Sequence, residues 1–127
     1  MPIISVKSLP LEIRVSIPEI LRKLNVETAK AIGYEPRHVW SYWEFLEPHY
    51  YAIGENPPGI TTDEFHSPIV NVISFEGKES EHIETMLKTI AGVISSELKI
   101  DISNIFITYS EALSGRVFDG GNIVKKT

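Results

Sequence analysis

Pro2 is the residue in this sequence with the clearest chemical potential. It stands behind Met1 and ahead of an apolar run, Ile3-Ile4-Ser5-Val6. Initiator methionine is commonly removed when a small residue or proline follows. Removal would leave Pro2 with a free secondary amine on a rigid ring. An α-amino group has a reference pKa of roughly 7.7–8.0, and an apolar pocket lowers it by penalising the charged form. A base poised near neutral pH can take a proton from carbon beside a carbonyl and return it one atom along. The competing reading is a proline simply tolerated at the first residue of a strand.

Five further residues fit such chemistry, and a sixth lies in the tail. Arg14 can hold a carboxylate through a bidentate contact, or stay solvated between strand and helix. His38, beside Arg37, can donate to a substrate oxygen, or lie in a surface turn. Trp40 and Phe106 read as buried aromatics and as candidate pocket walls. Tyr109 can donate to a developing enolate, or fill the core. Arg116 in the tail could reach a neighbouring site.

Composition narrows the field. A chain of 127 residues with 43% apolar residues is one globular domain by the usual prior. A net charge of −5 with no basic run argues against nucleic acid or an anionic membrane as partner. The absence of cysteine removes disulfides and thiolate chemistry. No apolar stretch reaches membrane-spanning length and no signal-peptide pattern is present, so the expected location is the cytoplasm. No cofactor is implied. Glu44, Glu47 and His49 cluster, with His66 and His82 further on, but none has metal-ligand spacing, so no metal is expected. Gly120-Gly121 lacks the strand, helix and lysine of a phosphate loop.

The elements that must position these residues come twice. Ile3 to Val6 read as strand. Ser16-Ile17-Pro18-Glu19 reads as a helix start, and Ile17, Ile20, Leu21, Leu24, Ala31 and Ile32 keep helical spacing up to Gly33. Val39 to Leu46 is an aromatic-rich strand. The pattern dissolves from Glu47 to Ser67, a connecting loop. Pro68 to Ile73 is again strand. Ser80 is a candidate cap for a helix with the stripe Ile83, Met86, Leu87, Ile90, Ala91, Ile94 and Leu98. Ile105 to Tyr109 is a fourth strand, and residues 112–127 carry a hairpin around Asp119-Gly120-Gly121-Asn122.

One shift of 66 residues superposes the halves. Pro2 falls on Pro68, Ile3 on Ile69, Val6 on Val72, Leu21 on Leu87, Ile32 on Leu98, Val39 on Ile105 and Trp40 on Phe106. A constant shift across strand, helix and strand implies two β-α-β units (2–46 and 68–111), each with parallel strands and a right-handed crossover. The fold class is therefore α+β: a four-stranded mixed sheet with two helices on one face. The strands read as apolar on both faces, as in Ile69, Val70, Val72, Ile73 and Phe75, so the uncovered face needs a partner. A closed symmetric oligomer would supply it. The Glu47–Ser67 loop folded over that face is the alternative.

With these residues in hand, the chain resembles the tautomerase superfamily, which includes 4-oxalocrotonate tautomerase and macrophage migration inhibitory factor. Pro68-Ile69-Val70, Phe75-Glu76-Gly77-Lys78 and Ser103-Asn104-Ile105-Phe106-Ile107-Thr108-Tyr109-Ser110-Glu111 resemble a single 4-oxalocrotonate tautomerase chain. Ala29 to Val39 resembles the inhibitory-factor branch. The resemblance implies a cofactor-free keto–enol tautomerase, an isomerase of small carbonyl or enol substrates. It also implies a homotrimer with sites at subunit contacts, and catalysis by Pro2 once Met1 is removed. Pro68, acylated by Ser67, would be a relic of duplication. The substrate-binding arginine of the family's second strand is replaced by Trp40 and Phe106; another arginine, just after the family's first strand, has Arg14 near its place in the first unit and Lys78 in its place in the second. The positions of the arginine pair of dehalogenase and decarboxylase relatives hold Phe75 and Gly77, which argues against those reactions. The same substitutions leave open a catalytically silent trimer with a binding or structural role.

Overall fold

Ser16 starts the first helix for a local chemical reason. Its backbone is extended and its hydroxyl accepts from the Glu19 N–H at 3.3 Å, satisfying one of the orphan donors of the first turn. Pro18 and Glu19 suit that turn, where no N–H partner is needed and negative charge is favoured. In the computed structural model, which describes residues 1–11, 14–55 and 67–125, the elements follow as β1 (Ile3–Ser8), α1 (Ile17–Ile32), β2 (Trp40–Phe45), β3 (Ile69–Phe75), α2 (Ser80–Leu98), β4 (Phe106–Ala112), β5 (Val117–Asp119) and β6 (Asn122–Val124). Ser80 is the first helical residue of α2 and not its cap. Glu79 takes the cap position with an extended backbone and no side-chain capping bond.

The two helices end alike and on different residues. Gly33 closes α1 at φ 74, and Lys99, its counterpart at the 66-residue shift, closes α2 at φ 54. Glycine adopts this left-handed conformation without a steric penalty, and lysine does not.

The main sheet has the order β2-β1-β3-β4. β1 pairs with β2 in parallel, and β3 pairs with β4 in parallel. β1 and β3 run antiparallel, from Ile3 opposite Ile73 to Lys7 opposite Ile69. The two units thus meet along one seam. β5 and β6 form a separate antiparallel hairpin.

Strand alternation decides the rest. Ile4 and Val6 of β1 and Val70 and Val72 of β3 point to one face and are fully buried. There they join Ile20 and Leu24 of α1 and Met86, Ile90, Ile94 and Leu98 of α2. Each such side chain contributes roughly 1.5–3 kcal/mol by leaving water. The helices pack on this face and on each other, with a Lys23–Glu97 ion pair between them.

The opposite face carries no helix and differs from the uniformly apolar surface expected. Trp40, Ile3 and Ile73 form one apolar corner, and Ile69 with Phe106 forms the diagonal one. Between them runs a polar row, Tyr42, Ser5, Asn71 and Thr108, in which the Asn71 amide donates to the Thr108 hydroxyl at 2.8 Å. Trp40 and Phe106 are 48% and 50% exposed in the single protomer, not buried as expected, because alternation turns them away from the helices. Much of the segment proposed as the alternative cover, residues 56–66, lies outside the described residues.

The helix ends generate a paired prediction. Gly33→Ala should lower stability by about 1 kcal/mol, while Lys99→Gly should raise it by up to about 1 kcal/mol. Thermal or urea unfolding of the two variants should move in opposite directions.

Candidate functional site

Pro2 sits just before β1, and its side chain is fully buried. Its carbonyl accepts from the Trp40 N–H at 3.0 Å, which extends the β1–β2 ladder by one step. Continuing the β1–β3 register places Pro2 opposite Ser74. Ser74 is buried and lies beside Tyr109 on the neighbouring strand β4. The seam between the units therefore gives Pro2 surroundings drawn largely from the second unit.

Two turns bring in the remaining groups. Gly77, at φ 94, bends the chain after β3 and leads into Lys78. The left-handed Gly33 folds the chain back after α1, and the Tyr34 N–H bonds the Ala29 carbonyl at 2.8 Å. The Lys78 ammonium then lies 4.9 Å from the centre of the Tyr34 ring, within cation–π range. The His82 ring is also near Tyr34, 6.0 Å away centre to centre and tilted by 52°.

Electrostatics tie the group together. The terminal amine on Met1 is pulled below its ordinary value, first by burial and then by the charge of Lys78, with Asp119 of the hairpin opposing. Burial and then Lys78 push the His82 imidazole down and favour the neutral ring, with Glu79 opposing them. Burial pushes the Tyr109 hydroxyl up. Ser74 is close enough to oppose that shift but not aligned to satisfy the oxygen. Tyr109 Oη and His82 Nε2 are both buried without a hydrogen-bond partner. Buried polar atoms are nearly always satisfied, so these two oxygen and nitrogen atoms near one lysine call for a solvent or ligand partner, as Asn25 Oδ1 and Thr28 Oγ1 on α1 also do.

The residues proposed from sequence divide by sheet end. Pro2, Tyr109, His38 and Trp40 lie toward the same end. His38 is exposed in a short turn ahead of β2, and Trp40 points to the open face. Phe106 and Arg14 lie toward the other end, where Pro68 is. Six residues of strand, about 20 Å, separate Pro2 from the segment leading to Arg14. Arg116 is exposed ahead of the hairpin, and its guanidinium donates to the Gly115 carbonyl at 3.3 Å.

Sequence reasoning did not assemble Lys78, Tyr34, His82 and Ser74. The signal lay in the failures of the repeat: at the 66-residue shift Tyr34 stands opposite Ile100, His82 opposite Ser16 and Lys78 opposite Glu12. None of the three has a like counterpart in the other unit, and the lysine's counterpart carries the opposite charge. Among the described residues no group of three or more His, Asp or Glu is placed to hold a metal ion, and no helix is long and apolar enough to cross a membrane.

Comparison with known proteins locates this arrangement. No family model matches the sequence, and no curated protein matches it. Solved structures do. A crystal structure of a native fused 4-OT superposes with a TM-score of 0.83 at 14% identity, covering 95% of this chain and 94% of that one. The R7 fused 4-OT wild type, an asymmetric trimer, gives 0.79 at 17% identity over the same shares. A macrophage migration inhibitory factor homologue from Prochlorococcus marinus gives 0.70 at 17% identity, covering 94% of this chain and 96% of that one. The chain shares the two-unit fold of these fused 4-OT structures.

The charge of Lys78 gives a direct test of this geometry. Lys78→Gln removes a positive neighbour, so the pKa of the terminal amine should rise. Isotope-edited NMR titration of that amine in both proteins should show the displacement, and an unchanged titration would place Lys78 away from it.

Proposed function

We propose that the protein is a cofactor-independent keto–enol tautomerase in which Pro2, freed of Met1, is the general base and then the general acid. What carries the reading is the burial of Pro2 across the seam from Ser74, next to a terminal amine that burial and the charge of Lys78 already depress. A secondary amine in that setting is neutral over more of the physiological range. It can take a proton from the enol oxygen or the α-carbon of a small substrate. Returning the proton to the other atom completes the isomerisation with no net redox change.

Lys78 and Tyr109 are the groups suited to the substrate oxygen that gains charge as the proton leaves. A lysine and a poorly solvated phenol aimed at that oxygen stabilise the transition state more than the ground state. Tyr34 and His82 help to place Lys78, by the ring contact of the first and by the neutral imidazole of the second. Trp40 closes the site from the open face, and His38 lies at its entrance. Arg14 and Phe106, remote within one protomer, could act only on a neighbour's site.

We further propose a homotrimer, in which the open sheet face with its two apolar corners is covered by adjacent protomers. Similar fused 4-OT proteins are described as trimers, symmetric or asymmetric. A cytoplasmic location accords with this reading.

Mass, rate and stability measurements test it. Intact mass of protein from its native host should lack the methionine; its retention would make Pro2 an amide and leave the silent binding protein. Ketonisation of phenylenolpyruvate or 2-hydroxymuconate should fall by about 10² or more in Pro2→Ala, within the span general-base removal gives. The rate should drop on the acid side as the amine protonates, and Lys78→Gln should move that limb to higher pH. Tyr109→Phe should lower kcat while leaving unfolding stability unchanged or higher, because it deletes an unsatisfied buried hydroxyl.

A further inference from the structure

The relic end of the sheet is not closed. A cavity of about 540 Å³ opens there, lined by Pro10, Leu11, Arg14, Val15, Ile17 and Phe45. Its size lies within the range of small-molecule sites. Among the described residues its walls are apolar apart from one guanidinium. β1 ends at this point: the Ser8 carbonyl accepts from the Leu46 N–H at 2.7 Å, and the Leu9 N–H donates to the Ser67 hydroxyl at 3.1 Å. The first turn of α1 supplies Ile17.

We propose that this cavity is a second, non-catalytic binding site for an amphipathic monocarboxylate, an aryl- or alkyl-carboxylic acid. Arg14 holds the carboxylate, and Leu11, Val15, Ile17 and Phe45 take the apolar tail. The charge pattern argues for this occupant over a neutral one. Arg14 makes no ion pair with any described residue, whereas Arg22 and Arg37 pair with Glu19 and Glu35. A guanidinium so placed at an apolar cavity matches a carboxylate in charge and in planar, two-donor geometry. The N-terminus of the 16-residue α1 adds positive potential on the same side.

The site is suited to binding and not to turnover. The proline at this end, Pro68, is acylated by Ser67 and has no basic nitrogen. The serine across from it, Ser8, is already committed: its hydroxyl accepts from the Trp43 indole N–H at 2.9 Å and donates to the Leu9 carbonyl at 2.9 Å. This is the opposite of the Pro2 end, where polar atoms are left unsatisfied. The inference does not depend on catalysis by Pro2.

The test uses the full-length chain carrying Pro2→Ala, so that turnover and binding at the proline are set aside. The probes are 4-phenylbutyrate and its neutral isostere 4-phenylbutan-1-ol, followed by calorimetry and amide NMR. The carboxylate should bind with shifts at Leu11, Val15, Ile17 and Phe45. Arg14→Gln should weaken it roughly tenfold or more, as expected for a charge-assisted bond, while the alcohol binds both proteins alike and Arg14→Lys restores part of the affinity. Equal carboxylate affinity in Arg14→Gln and its parent, shifts confined to Tyr34, Lys78 and His82, or no binding of either probe would overturn the proposal. Loss of activity in Pro2→Ala bears only on the tautomerase reading.

Discussion

The two halves of the molecule are held as one sheet by the antiparallel seam between β1 and β3. Each unit makes its own parallel pair, but a parallel pair with one helix is not a sheet with a core. The five matched positions from Ile3–Ile73 to Lys7–Ile69 join the two halves into one sheet, which α1 and α2 cover together while packing on each other. Because the seam is antiparallel, each proline is delivered to the far end of the other unit's central strand. Pro2 comes to rest across from Ser74, and Pro68 across from Ser8. Neither unit alone could surround its own proline.

The 66-residue repeat makes these two ends topologically equivalent, and their side chains differ. At one end Trp43 satisfies Ser8. At the other its counterpart Tyr109 lies near Ser74 without satisfying it, and Lys78, Tyr34 and His82 gather around the same point. The physical consequence is a division of labour. The Pro2 end holds unsatisfied buried polarity and depressed basic groups, which is a poor way to stabilise a fold and a good way to handle a proton. The Pro68 end holds satisfied polarity and, among the described residues, an apolar cavity beside a single cation.

The open face of the sheet follows from the same geometry. Diagonal apolar corners with a polar row between them are what a pseudo-twofold axis through the seam produces, since Trp40 and Ile3 map onto Phe106 and Ile69. The aromatic pair that replaces the arginines of the resembled family thus falls on the face without a helix. Half-exposed tryptophan and phenylalanine there are surface for association more than core for a single protomer.

The secondary-structure elements and their two-fold repeat are legible residue by residue. Cap chemistry at Ser16, the glycine at 33 and the apolar periods of the two helices are local signals, and local signals are written residue by residue. The constant 66-residue shift added the two-unit architecture, because homologous positions must occupy equivalent places. Which side chains meet is settled by the packing of the two units. No spacing rule links Tyr34, Lys78, His82 and Tyr109, which come from a helix end, a turn, a helix start and a strand. Their meeting depends on the seam's register and on two left-handed glycines, Gly33 and Gly77, that re-aim the chain. The exposure of Trp40 and Phe106 is not legible in the sequence for a related reason: strand alternation fixes that neighbours point oppositely, but which face the helices cover is settled only when both units have packed.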